Sequence, residues 1–200
     1  MKVLSLALML GLCSIQGVYA NEPTTLASVE KSNKAGFQVY QFGNYKIVAL
    51  LDGQIQLDRE LFNKNISNEE RLGLLNQLGI KMSLDTSVNA FLIDDGQSVM
   101  LVDSGAASCF GANLGSIASN IEMAGYKLTN IKTVFLTHLH PDHVCGISKE
   151  GKAVFPYASL YVHADEAQYW LDSNAASKVS ANAQAKFKAT VVQIEEAIAP

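Results

Sequence analysis

The sequence predicts a layered α/β fold, on three observations. Runs of β-branched and aromatic residues alternate with segments of helical period. Hydrophobic residues make up 48 % and charged residues 17 % of the 200-residue chain, the balance of a globular protein with a core. The residues richest in chemistry, 138–143, stand at the carboxyl end of an apolar strand, where open α/β sheets place their sites. The length suits one domain once a processed leader is set aside. A formal charge of −4 with no basic tract argues against nucleic acid or an anionic membrane surface as partner.

In chain order, residues 1–20 read as a secretory signal peptide. Lys2 supplies the positive start, residues 3–12 are apolar, and Val18 and Ala20 suit a signal peptidase. The run is too short to span a bilayer comfortably, and Leu12 disfavours a lipoprotein reading of Cys13. A secreted or periplasmic location follows, with no membrane attachment after cleavage. Residues 21–36 are polar and irregular and read as a flexible arm.

FQVYQF, YKIVALLDG and QIQLD read as short antiparallel strands separated by turns at Gly43-Asn44 and Asp52-Gly53. A helix follows, with Ser67 and Glu70 as a capping box, Leu72, Leu75 and Leu78 on one face, and Gly79 as its stop. SVNAFLID and SVMLVDSG form a hairpin about Asp95-Gly96, and the apolar VMLV predicts a strand buried on both faces. A helix is expected over residues 113–124, with Leu114, Ile117, Ile121 and Ala124 inward and Gly125 at its end. IKTVFLT is a further buried strand, ASLYVH another, and ADEAQYWL a short helix whose Asp165 and Glu166 suit its first turn. The alanine-rich remainder reads as helical.

Of the four histidines, three fall within THLHPDHVCG. His138 and His140 are two apart on chain leaving a strand, so both imidazoles point to one side and can share a cation. Pro141 opens a helical turn, and the adjacent Asp142 and His143 suit a neighbouring second cation. Such a donor string arises by chance in on the order of one in ten thousand chains of this length. Imidazole with carboxylate favours zinc, with manganese, iron and cobalt as other divalent choices. Cys109 and Cys145 could pair, Cys145 could lie near the metal, or both could be small buried hydrophobes.

These motifs resemble the metallo-β-lactamase superfamily: THLHPDHVCG follows the strand-turn VMLVDSG at that superfamily's spacing. GAASCFGANLG, AGYKLTNIKTVFLTHLHPDHVCG and ADEAQYWLDS look most like the methyl parathion hydrolase and secreted lactonase-like branch. The resemblance covers roughly residues 37–195. It implies an αββα sandwich of two similar halves, of which residues 37–200 would be the N-terminal half: a mixed sheet with flanking helices, C-terminally incomplete.

By position, the resemblance assigns His138 and His140 to the first metal and Asp142 and His143 to the second. Asp103 would buttress the site, unless it merely closes a turn, and Asp142 could also move protons. Phe110 and Trp170 match aromatic positions that line the substrate pocket, although a core role suits each as well. Cys145 departs from the pattern, standing where glycine is usual.

The implied activity is a secreted di-zinc hydrolase in which metal-bound hydroxide attacks an ester, lactone or phosphotriester of a small molecule. A β-lactam hydrolase is the alternative enzyme, and a homodimer is compatible with either. The superfamily's remaining histidines and bridging aspartate find no counterpart here. His163, in ASLYVH, stands where the family has no ligand and reads as structural. A truncated, non-catalytic member that binds a metal weakly is therefore the competing expectation.

Overall fold

The structure is a computed structural model that describes residues 36–58, 66–80 and 83–198. The signal peptide expected over residues 1–20 and all but the last residue of the arm expected over 21–36 lie outside the described residues. Within them, no helix is long and apolar enough to cross a membrane.

Six strands form one mixed sheet: β1 (Phe37–Phe42), β2 (Tyr45–Asp58), β3 (Ser83–Asp94), β4 (Val99–Val102), β5 (Ile131–Phe135) and β8 (Ser159–Tyr161), hydrogen-bonded in that order. β1 to β4 run antiparallel, and the β4–β5 and β5–β8 pairs are parallel. A small hairpin of β6 (Ser148–Lys149) and β7 (Lys152–Ala153) stands apart. The helices are α1 (Asn68–Gln77), α2 (Ile117–Met123), α3 (Pro141–Val144), α4 (Ala164–Trp170), α5 (Ser173–Ser177) and α6 (Ala181–Ile198).

Several sequence expectations need correction. Asp52-Gly53 is no turn: β2 runs through it with a bulge between Leu51 and Gly53. The Asp-Gly signal belongs to long-range packing instead. Asp52 is buried, and a side chain at Gly53 would collide with the Asn113 carbonyl. The helix expected from residue 113 starts only at Ile117, because Gly115, at φ 97°, and Ile117 donate their N–H groups to Asp52 Oδ1.

In α1 the cap forms as expected, Glu70 N donating to Ser67 Oγ at 3.1 Å. Leu78, however, is 73 % exposed while Arg71 and Leu75 are buried. Positions six apart have rotated about 120° away from each other, whereas Arg71 and Leu75, four apart, share a face. His163 is the N-cap of α4, accepting from Asp165 N at 3.3 Å, rather than a mid-strand residue.

The core lies on one face of the sheet. Val48 and Leu50 of β2, Ala90 and Leu92 of β3, Leu101 of β4 and Val134 of β5 are fully buried. Ile117 and Ile121 of α2, Val144 of α3 and Phe187 of α6 join the same cluster. The opposite face is apolar and open. Register places Ala49, Phe91, Val102, Phe135 and Tyr161 side by side across five strands. Phe91, Phe135 and Tyr161 are 44, 42 and 52 % exposed. The expectation that β4 and β5 are buried on both faces therefore fails: Leu101, Ile131 and Val134 are buried, while Phe135 is not.

Candidate metal centre

β5 ends at Phe135, and Leu136 N donates to Tyr161 O at 2.8 Å as the chain leaves the sheet. The chain then bends at Thr137 and His138 and continues through Leu139 to His140. Leu139 is fully buried. Its neighbours His138 and His140 meet each other instead, their ring centroids 4.6 Å apart. His140 caps α3, its carbonyl accepting from His143 N at 2.9 Å and Val144 N at 3.1 Å. Pro141, at the first helical position, gives up no backbone donor the helix needs.

Asp103 organises the cluster from the end of β4. It is a buried, non-glycine residue at φ 59°. Its carboxylate accepts from Thr137 N (2.8 Å), Thr137 Oγ1 (2.9 Å) and His143 Nδ1 (2.8 Å). Thr137 has one hydroxyl proton and gives it to Asp103. His138 Nδ1, 3.1 Å from Thr137 Oγ1, is therefore the donor in that contact. One carboxylate thus fixes a proton on Nδ1 of both His138 and His143, and so directs Nε2 of each toward a second donor, His140 or Asp142.

The expected ligands come together as two pairs. His138 Nε2 lies 3.0 Å from His140 Nδ1, and His143 Nε2 lies 3.3 Å from Asp142 Oδ2. Donors at zinc–ligand distances of 2.0–2.1 Å stand about 3.3 Å apart along a tetrahedral edge, so each pair has roughly the span of one edge. The His138 and His143 rings lie between the pairs, 4.0 Å apart between centroids. By donor type and spacing the residues fit divalent cations. Yet no group of three or more His, Cys, Asp or Glu side chains among the described residues is arranged to hold one.

Protonation separates the two imidazoles. Burial pushes His138 below its ordinary pKa, and the charges of His143 and His140 add to this, so it is neutral and ligand-ready. Burial opposes the charge on His143 too, but hydrogen bonds to Asp103 and Asp142, with their negative charges, outweigh it and raise His143 to about 9. The hydrogen bond from His143 is the main reason Asp142 lies below the usual carboxylate range.

Of the two aromatic candidates, the structure brings one to the cluster. Trp170 meets His140 edge-on at 5.2 Å between centroids, with its indole also packed on Phe187 at 4.5 Å. It is only 7 % exposed, so it is a core residue that touches the site. Phe110 is 42 % exposed on the segment after β4 and is not among the rings packed on the histidines.

That segment is tied down beside the site. Cys109 and Cys145 are joined by a disulfide, with Cα atoms 6.3 Å apart, which settles the alternatives left open by the sequence. Ser104 donates N–H and Oγ–H to the His143 carbonyl, both at 2.8 Å. A side chain at Gly146 would strike the Ser104 carbonyl, which explains a glycine there.

Sequence reasoning missed several contributors. Asp52 accepts from Ala106, Gly115 and Ile117 and so pins both ends of the 104–117 segment. Glu166 and Thr190 bond the Leu139 peptide, at 2.9 and 2.8 Å. None leaves a local signal, because the partners lie 27 to 65 residues away in sequence. Two cavities, about 610 and 770 Å³, lie elsewhere: behind the 104–118 segment and between α5 and α6. None of the four ligand candidates lines either.

A family model described as the metallo-beta-lactamase superfamily matches residues 84–180. Among solved structures, the hydrolase AbOPH in the beta lactamase superfamily is 48 % identical with a TM-score of 0.73, the match covering 83 % of this chain and 57 % of that one. AidC, a dizinc quorum-quenching lactonase solved with a product, is 24 % identical at a TM-score of 0.69, covering 82 % of this chain and 59 % of its own. A probable metal-dependent hydrolase from Staphylococcus aureus shares the fold at 21 % identity and a TM-score of 0.56, covering 69 % and 53 %. The chain thus spans less than three-fifths of the length of each of these structures. A comparison with curated proteins finds no match.

Proposed function

Because a metallo-beta-lactamase superfamily model matches residues 84–180 and a hydrolase of the beta lactamase superfamily is 48 % identical, we propose that the chain is a member of that superfamily and carries the His-x-His-x-Asp-His part of a di-zinc hydrolase site. The substrate class is a small-molecule ester, lactone or phosphotriester. The observation that carries this reading is the pair of donor pairs held over one carboxylate, Asp103. His138 and His140 would hold one ion, and Asp142 and His143 the other. When bound, the ions would polarise the substrate's C=O or P=O oxygen and lower the pKa of a water.

The chain's own residues do the rest. Asp103 and Thr137 hold both Nδ1 protons in place, so Nε2 of His138 is presented as a lone pair, and Nε2 of His143 becomes one once a cation displaces the proton it shares with Asp142. Asp142 is ionised at neutral pH and able to accept a proton. Trp170 shields one edge of His140 from water. Phe110 is offered to an apolar part of the substrate from a segment that the neighbouring disulfide anchors. An oxidising, secreted or periplasmic location is supported by residues 1–20 and by that disulfide.

A second reading, a chain that binds a cation weakly without turnover, is favoured by one specific fact. Each pair supplies two protein donors, whereas catalytic zinc usually has three. One experiment separates the two readings. The purified chain is titrated with zinc under chelator competition and assayed against an aryl phosphotriester, an acyl-homoserine lactone and a β-lactam. Turnover lost in His138→Ala supports the hydrolase, and turnover of the β-lactam alone would change the substrate class. Zinc uptake without turnover of any substrate supports the second reading. A folded chain that takes up no zinc overturns both.

A further inference from the structure

Once past Leu136 the chain has no strand partner for its peptide groups, and in partly buried chain such groups must find others. Those of Leu139 are taken by two helices from later in the chain. Its N–H donates to Glu166 Oε2 of α4 at 2.9 Å, and its carbonyl accepts from Thr190 Oγ1 of α6 at 2.8 Å. Thr190 is fully buried, so its hydroxyl has no water to turn to, and neither does the Leu139 side chain. Glu166 sits in the first turn of α4, and a carboxylate acceptor makes a stronger hydrogen bond than a neutral one.

We propose that Glu166 and Thr190 are positioning residues that clamp the Leu139 peptide and thereby set the spacing of His138 and His140. Leu139 is the only residue between the two histidines. Rotation of either of its peptide groups swings one imidazole relative to the other and changes the 3.0 Å separation of Nε2 and Nδ1. The clamp grips both groups, each from a separate helix. It is distinct from the Asp103–Thr137 arrangement, which sets proton positions rather than the relation between the rings. As a statement about metal binding it rests on the reading of the site given above.

The test uses the full chain and two variants at each position. Glu166→Ala and Thr190→Val remove the acceptor and the donor. Glu166→Gln and Thr190→Ser keep an amide oxygen and a hydroxyl in place. Loss of an outer partner of this kind lowers metal affinity about 10–100-fold. Zinc affinity is therefore expected to fall by that factor in E166A and T190V and to stay near wild type in E166Q and T190S.

Amide exchange at Leu139 and the imidazole resonances of His138 and His140 are measured on the metal-free chain. Faster exchange and shifted resonances are expected in E166A, and neither in E166Q. Unchanged exchange in E166A, or faster exchange with unmoved imidazole resonances and unchanged zinc affinity, overturns the clamp. If the wild-type chain takes up no zinc, the metal reading fails, and the exchange and resonance comparison still decides the clamp. Glu166 is only partly buried on a short surface helix, so E166A is expected to fold even if T190V does not.

Discussion

Asp103 is the residue on which most of the cluster's chemistry converges, and its backbone shows what that placement demands. A φ of 59° is uncommon outside glycine and is best tolerated by asparagine and aspartate. Asp103→Asn is therefore expected to keep the turn while removing the charge that holds His143 as imidazolium. The His143 pKa, raised to about 9, should fall toward its ordinary value, as an NMR titration of the metal-free chain would read. An unmoved His143 titration in that variant would mean that Asp142 alone raises it.

The sign of the pH effect follows from the direction of the shift. A folded-state pKa above the unfolded value adds stability that is complete below about pH 6.5 and is lost as pH rises through about 9. In the metal-free chain, denaturant midpoints should drift down across that window, and less steeply in D103N. Zinc must displace the same proton, so its apparent affinity should rise over the same window. Asp103 was legible as a candidate through the family resemblance, which places a buttressing aspartate after that strand, while its position before Ser-Gly suited a plain turn. Whether it buttressed the site or closed a turn depended on a bond to His143, 40 residues on.

At the scale of elements, the short helix α3 owes its position to the 104–117 segment that it touches. The Cys109–Cys145 disulfide, the Ser104–His143 bonds and the side-chain-free approach at Gly146 all join these two pieces. The bridge spans 36 residues, and removing a native disulfide costs about 2–4 kcal/mol. Cys109→Ser with Cys145→Ser is expected to lose stability on that scale in urea unfolding, and to loosen zinc binding because His143 begins to move with α3. Equal zinc affinity in the double variant would show that Ser104 and Gly146 suffice.

Local periodicity recovered most elements here, and two of its misses share one cause. The start of α2 and the false turn at Asp52-Gly53 both trace to the Asp52 carboxylate. That side chain is buried among three N–H donors that lie 54 to 65 residues away. A carboxylate used as a long-range staple looks, in sequence, like an ordinary turn former.

For the whole molecule, the decisive feature is a sheet with one covered and one open face. The apolar runs of β4 and β5 were legible as strands that need cover on both sides, but sequence reports the need and not whether it is met. On the covered face Val48, Leu92, Leu101 and Val134 hold the core. On the open face Phe91, Val102, Phe135 and Tyr161 stand in register, with the last two rings 5.3 Å apart. Because strand side chains alternate, substitutions on the open face leave the core untouched.

Phe91→Thr with Phe135→Thr should therefore lower the fluorescence of a bound hydrophobic dye and raise the solubility limit. Its effect on stability should stay near the roughly ±0.5 kcal/mol typical of surface changes. Threonine keeps β propensity, so strand pairing should survive, which far-ultraviolet circular dichroism checks. Dye binding that is undiminished in the double variant would mean the open face is already covered in solution. A large loss of stability would mean that these rings carry packing beyond the Phe135–Tyr161 contact, and that the sheet depends on both of its faces.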